Sequence, residues 1–220
     1  TLGLVENKLK EHGLLGTVEL RCVKPKDVIK LGEMSVEFIK VSHSIADSTA
    51  LAIHTPAGVI VHTGDFKIDY TPIDGDLADL ARFAELGKQG VLVMMADSTN
   101  VERRGYTMSE STVGKTFQDI FMRADGRIIV ATFASNIHRV QQIVNAAVKY
   151  DRKVAVSGRS MVNVVDVATN LGYLNIPEGT LIDIDDIDKY PNNKIVIITT
   201  GSQGEPMSAL VRMSTSEHKK

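Results

Sequence analysis

A histidine and an aspartate stand in two polar segments that each end an apolar, strand-like run. His43 lies within residues 41–48, and Asp65 lies within residues 62–67. Imidazole and carboxylate are both zinc ligands, and strand ends hold side chains rigidly, so the two could converge on one metal centre. The sequence therefore favours metal-assisted hydrolysis. From spacing alone the alternative is structural: His43 in a turn, and Asp65 as a turn former after Gly64.

Asp97 follows a third apolar run, at residues 91–96, and precedes Ser98, Thr99 and Asn100. A carboxylate in this position could orient a metal-ligating histidine or manage a proton. The alternative is a turn or helix cap, because Asp, Ser, Thr and Asn all satisfy free backbone N–H groups. Lys67 and Asp69, further along the second polar segment, are expected at the surface.

Three further polar loops, at residues 135–139, 158–161 and 201–205, each follow an apolar run. Carboxyl ends of parallel strands meet at one edge of a sheet, where open α/β sheets bind ligands, and helix starts there offer free N–H groups to phosphate. Plain helix capping by Ser135 or Asn136 explains the first loop equally well, and Ser160 could cap the second. The candidate phosphate- or RNA-binding residues are Ser135, His138, Arg139, Arg159, Ser160 and Ser202.

The first half of the chain predicts a helix and several closely spaced, antiparallel strands. The helix is expected over residues 2–12 and the strands over 17–23, 34–41, 48–54 and 58–62. A turn at residues 55–58 joins the last two strands. The single cysteine, Cys22, excludes an internal disulfide and Cys-rich zinc sites, and is expected to be a small buried strand residue.

From Leu77 onward, helical patterns alternate with continuous apolar runs, which indicates a parallel sheet covered on both faces. We therefore expect two domains, 1–105 and 106–220. The predicted helices are 77–86, 109–123, 136–150 and 160–171, and the predicted strands are 91–96, 127–131, 153–156 and 194–199.

The composition is that of an ordinary globular chain of 220 residues, with 43% hydrophobic and 24% charged residues. No apolar run approaches the roughly 20 residues that span a bilayer, so no membrane association and a cytoplasmic setting are expected. The net charge of −2 argues against a generally basic nucleic-acid coat, although a local groove of Arg and Lys could still bind phosphate.

Taken in order, these motifs resemble the ribonuclease J family of metallo-β-lactamase-type nucleases, which carry an inserted β-CASP domain. The resemblance runs roughly from Thr1 to Met213. It rests on the segments around His43 and Asp65 and on four further motifs: Asp97-Ser98-Thr99-Asn100, Thr132-Phe133-Ala134-Ser135-Asn136-Ile137-His138-Arg139, Gly158-Arg159-Ser160-Met161 and Thr200-Gly201-Ser202-Gln203-Gly204-Glu205-Pro206.

The resemblance implies an α/β fold in which part of an αββα metallo-β-lactamase sandwich is followed by a Rossmann-like β-CASP domain with a parallel sheet. It implies that His43 binds zinc, that Asp65 bridges two zinc ions, and that Asp97 is the acidic first β-CASP motif. The parent protein would be a zinc-dependent 5′-to-3′ exoribonuclease with endonuclease activity, acting in RNA maturation and decay, including rRNA processing, with RNA as partner and a homo-oligomeric state.

The family's His-x-His-x-Asp-His metal motif is absent, and none of the six histidines forms it. The chain is therefore expected to be an internal fragment that is inactive alone and does not hold zinc tightly. Two alternatives remain: a β-CASP nuclease acting on DNA or on messenger-RNA 3′ ends, and a non-enzymatic phosphate- or nucleotide-binding α/β module in which His43 and Asp65 are structural.

Overall fold

A computed structural model describes residues 2–73 and 75–217. The chain divides into two compact units, Thr1–Ser111 and Thr112–Lys220. The division at residue 105 and the identities given to the two domains remain predictions. No helix in the described ranges is long and apolar enough to cross a membrane.

The first unit is built on a five-stranded sheet in which the strands follow chain order. The first four strands are antiparallel, and the fifth pairs with the fourth in parallel. The elements are α1 (Leu2–Glu11), β1 (Val28–Leu31), β2 (Met34–Lys40), β3 (Thr49–Thr55), β4 (Gly58–His62), α2 (Leu80–Gln89) and β5 (Val93–Met95).

Alternating apolar residues of β2, β3 and β4 form the core of this unit together with one residue of α2. The buried members are Ile39, Val41, Ala50, Ala52, Val61 and Leu86.

The Asp79 side chain caps α2 by accepting from the Arg82 N–H at 3.0 Å. Gly58 closes the β3–β4 turn with a φ of 143°, and a Cβ there would lie 3.1 Å from Leu92 Cβ.

Three features of the first unit differ from the sequence predictions. Residues 17–23 form no strand beyond one isolated bridge between Leu15 and Val18, and Cys22 is exposed rather than buried. An alternating pattern buries a face only when a neighbouring strand pairs with it, and this segment has none among the described residues. The run at 91–96, expected to be buried, is an edge strand with Leu92 and Val93 exposed.

The second unit contains a four-stranded sheet of parallel strands in the order β6-β9-β7-β8. The helix α3 (Glu110–Arg123) begins just before the division between the units. The other elements are β6 (Ile128–Ala131), α4 (Ile137–Lys149), β7 (Lys153–Ser157), α5 (Arg159–Asn170), β8 (Leu181–Ile182), 3-10 helices at Ile184–Lys189 and Asn192–Lys194, β9 (Ile195–Thr199) and α6 (Ala209–Ser214).

All five residues of β9 are buried, because the sheet is covered on both faces. On one face Val196 and Ile198 pack with residues of α3, α4 and α5, and on the other Ile195 and Ile197 pack with Ile187. The predicted α/β class and the covered parallel sheet are therefore confirmed. β1, β8 and α6 were not predicted from the sequence.

Candidate functional site

His43 and Asp65 come together in the first unit. Residues 42 and 67 form an antiparallel bridge beyond the end of β2, in which the Lys67 N–H donates to the Ser42 carbonyl at 2.8 Å. This bridge brings the two polar segments side by side. His43 Nε2 lies 3.7 Å from Asp65 Oδ2, with the histidine side chain 31% exposed and the aspartate 76% exposed.

Asp97 lies beside the same pair. Its N–H donates to Thr63 Oγ1 at 3.0 Å, and its carboxylate accepts from the Thr99 hydroxyl at 2.7 Å and the Thr99 N–H at 3.0 Å. These Thr99 hydrogen bonds, together with one from the Phe66 backbone and the nearby His43 ring, lower the pKa of Asp97. The carboxylate is therefore ionised at neutral pH.

The distance between the His43 nitrogen and the Asp65 oxygen tests whether both could bind one metal ion. A nitrogen and an oxygen bound to one tetrahedral ion at about 2.1 Å are separated by roughly 3.4 Å, close to the His43–Asp65 distance. The pair therefore fits as part of a ligand set. Among residues 2–73 and 75–217, however, no group of three or more His, Cys, Asp or Glu side chains could hold a metal ion. The described residues therefore bring two donors to a spacing that fits one ion, without a third donor beside them.

Asp69 lies four residues after Asp65, and its side-chain contacts hold this segment in place. Contrary to the surface position expected from the sequence, the Asp69 side chain is only 4% exposed, and Lys67 Nζ lies 3.2 Å from its Oδ2. Burial raises the pKa of Asp69, but hydrogen bonds from Thr71, Ser109 and Lys67 outweigh this effect and lower the pKa overall. No local pattern along the chain indicates this role, because Ser109 lies forty residues away from Asp69.

The three polar loops of the second unit lie at one edge of its sheet. β9 is flanked by β6 and β7, and all three strands run parallel, so their carboxyl ends are adjacent. The second and third loops also approach closely: Gly158 has a φ of 103°, and a Cβ there would lie 2.8 Å from Thr200 Oγ1. The predicted gathering of these loops is confirmed by the strand order.

The candidate phosphate-binding residues occupy different positions within these loops. Asn136, not Ser135, caps α4 by accepting from the Arg139 N–H at 3.1 Å. Gly158 occupies the cap position of α5 without a side-chain hydrogen bond, so the expected capping by Ser160 is wrong. Three of the candidates are half-buried: Ser135, His138 and Arg139. The other three are exposed: Arg159, Ser160 and Ser202.

Thr132, a polar residue near the first loop, was not among the candidate site residues predicted from the sequence. Thr132 directly follows β6, and its N–H donates to the Thr199 carbonyl at 3.0 Å. Its hydroxyl is buried and has no hydrogen-bond partner among the described residues. Buried hydroxyls are normally paired, so this one is available to a water or a ligand at the edge of the sheet.

Together these features define an α/β protein with an adjacent His/Asp pair in one unit and a parallel sheet with a polar loop edge in the other. Residues 125–220 match the family model described as the β-CASP domain of ribonuclease J. Ribonuclease J from Helicobacter pylori is 50% identical over 225 aligned positions, which cover 100% of this chain and 32% of that protein. Ribonuclease J from Synechocystis is 48% identical, covering 99% of this chain and 34% of that protein.

The chain is therefore similar to ribonuclease J along its whole length, and residues 125–220 match the β-CASP family model of ribonuclease J. The resemblance stated from the motifs is confirmed. The chain spans about a third of the length of these curated relatives. The crystal structure of a protein of unknown function from Enterococcus faecalis is similar in fold, with a TM-score of 0.58, 19% identity, and coverage of 84% of this chain and 46% of that one.

Proposed function

We propose that the full-length protein containing this chain is a ribonuclease J-like nuclease that hydrolyses RNA phosphodiester bonds with bound zinc. The observation that carries the proposal is the 3.7 Å approach of His43 and Asp65 beside Asp97, in a chain similar to ribonuclease J throughout. The proposal includes a 5′-to-3′ exonuclease mode with endonuclease activity, a homo-oligomeric parent and a cytoplasmic location.

In this proposal the first unit contributes His43 through its ring nitrogen and Asp65 through its carboxylate. Bound metal would lower the pKa of water toward neutrality and stabilise charge on the oxygens of the scissile phosphodiester. The largely exposed Asp65 carboxylate is open to further ligands from elsewhere in the full-length protein. Asp97, ionised and fixed by Thr99, would orient a metal-ligating histidine. The chain alone would be inactive and would hold zinc weakly.

The second unit would bind the RNA strand along its loop edge. The starts of α4 and α5 present backbone N–H groups there, and the exposed Arg159 guanidinium could pair with a phosphate or stack on a base. Ser135, His138, Arg139, Ser160 and Ser202 would add hydrogen bonds to the backbone of the strand.

Cleavage of matched RNA and DNA oligonucleotides by the full-length protein tests the proposal. We expect RNA to be cleaved, EDTA to stop cleavage and zinc to restore it. DNA of the same sequence should be cleaved much more slowly, because contacts to the 2′-hydroxyl distinguish the two. Absence of RNA cleavage, or cleavage unaffected by EDTA, would contradict the proposal.

A further inference from the structure

The loop formed by residues 98–107 is anchored at both ends to the segment that carries Asp65. At its start, the Asp97 N–H donates to Thr63 Oγ1 at 3.0 Å. At its end, Lys67 Nζ donates to the Met108 carbonyl at 3.3 Å, and the Ser109 hydroxyl donates to the Thr71 carbonyl at 2.9 Å. The loop therefore leaves and rejoins the same short stretch of chain, residues 63–71.

Two consecutive turns shape the first part of the loop. The Val101 N–H donates to the Ser98 carbonyl and the Arg103 N–H to the Asn100 carbonyl, each at 3.0 Å. These turns limit how far the loop can extend from Asp97. Even a fully extended chain of six residues spans only about 21 Å, so Arg103 lies within that distance of Asp97.

The middle of the loop exposes side chains suited to binding a nucleic-acid strand. Tyr106 is 90% exposed, and Arg103 and Arg104 are both exposed. Within the described part of the chain, neither arginine forms an ion pair or side-chain hydrogen bond. Glu102 is the one acidic residue of the loop, which leaves a net positive charge. Unpaired guanidinium groups bind phosphate through two parallel hydrogen bonds, and an exposed tyrosine ring can stack on a base.

We propose that this loop contacts single-stranded RNA beside the cleavage site, with Arg103 and Arg104 on phosphates and Tyr106 stacked on an unpaired base. The proposal rests on the proposed nuclease function and adds an RNA contact in the first unit to those at the loop edge of the second. A strand whose scissile phosphate lies at His43 and Asp65 carries its next nucleotides past this loop.

The test measures binding of a fluorescein-labelled single-stranded RNA to the full-length protein by anisotropy, in EDTA and over a range of salt concentrations. Each phosphate contact on a single strand contributes about 0.7 to the slope of log affinity against log salt. Arg103→Ala/Arg104→Ala should weaken binding and lower this slope, whereas Arg103→Lys/Arg104→Lys should keep it. Arg21→Ala is the control, because Arg21 is exposed and paired with Glu19.

Tyr106→Ala should weaken RNA binding about fivefold or more with little change in the salt slope, because loss of a stacked base is not electrostatic. Tyr106→Phe should bind like the wild type. Melting temperatures of all variants should match the wild type, since these side chains are exposed. Wild-type RNA affinity and salt slope in both alanine variants would overturn the inference while leaving the nuclease proposal standing. A wild-type protein that neither binds nor cleaves RNA would overturn both.

Discussion

The two sheets differ in how completely they are covered. In the second unit the central strand β9 is buried on both faces, and helices or 3-10 turns pack against each side. In the first unit the core contains small residues such as Ala50 and Ala52, and the edge strand β5 exposes Val93 and both of its methionines. The His43–Asp65 pair and Asp97 lie in the less covered unit, while the candidate binding loops follow the strands of the more fully buried sheet.

The two units also hold their candidate residues in place by different kinds of contact. Loops at the carboxyl edge of a well-packed parallel sheet are fixed by the strands that precede them. In the first unit, the segment that carries Asp65 is fixed instead by polar contacts of Asp69, Lys67 and Ser109. Four predictions, in order of decreasing expected effect of the main substitution, can sharpen or break this comparison.

Asp65→Ala should have the largest effect, on activity rather than on binding. Loss of the carboxylate should reduce RNA cleavage by the full-length protein by more than tenfold, a barrier increase above about 1.4 kcal/mol, with little change in RNA affinity. Asp76→Ala removes another exposed carboxylate of the same unit and is the control. If Asp65→Ala kept more than about a tenth of wild-type activity, Asp65 would not be an essential metal ligand.

A matched pair of valine substitutions compares the two sheets directly. Val196 in β9 is 0% exposed and Val93 in β5 is 47% exposed. Val196→Ala should destabilise the protein by about 2–3 kcal/mol, from two buried methyl groups and the cavity they leave. Val93→Ala should cost less than about 0.5 kcal/mol. Denaturant unfolding measures both, and equal losses would show that the two sheets are covered alike.

Glu37 tests whether ion pairing stabilises the first unit. The buried Glu37 carboxylate accepts two hydrogen bonds from Arg82, at 2.7 and 2.9 Å, and lies 3.3 Å from His54 Nε2. The Arg82 hydrogen bonds lower the pKa of Glu37, against the effect of burial and with a further contribution from His54. Glu37→Gln should therefore cost about 1.5–3 kcal/mol at neutral pH.

The sign of the pH dependence follows from the lowered pKa. Stability contributed by Glu37 is fully present above its unfolded pKa and is lost as the pH falls through the lower folded value. Unfolding free energies of wild type and Glu37→Gln should therefore converge in acid, below about pH 4. A constant difference between them from pH 7 down to pH 2 would exclude this contribution.

Arg159→Ala should have a smaller functional effect than Asp65→Ala. We expect a loss of about 1–3 kcal/mol in RNA affinity if the guanidinium stacks on a base, and a lower salt dependence if it pairs with phosphate. Arg123→Ala, an exposed arginine at the end of α3, is the control. Unchanged affinity and salt dependence in Arg159→Ala would remove this residue from the binding surface.

The fold of the second unit was predictable because its strands are apolar on both faces and its helices have long regular patterns. The helix expected at 136–150 is observed at Ile137–Lys149, and the strand expected at 153–156 is observed at Lys153–Ser157. By contrast, β8 has two residues, too few to show a period. The strand expected at 17–23 failed because alternation within a segment does not reveal whether a neighbouring strand exists.

The candidate site was predictable only in part, for a similar reason. His43, Asp65 and Asp97 follow apolar runs, so the sequence marked them as strand-end residues. The anchoring role of Asp69 depends on Ser109, a contact across forty residues, and the unpaired Thr132 hydroxyl depends on packing around the end of β6. Neither leaves a pattern along the chain.

Metal content is the measurement that tests the central claim most directly. Zinc would be determined by inductively coupled plasma mass spectrometry in dialysed full-length wild type, His43→Ala, Asp65→Ala and, as a matched control, His54→Gln. We expect the wild type and His54→Gln to retain zinc and the two ligand variants to lose most of it, because the proposed site loses a ligand in each of them. Wild-type zinc content in both His43→Ala and Asp65→Ala would contradict the assignment of this pair as a metal site.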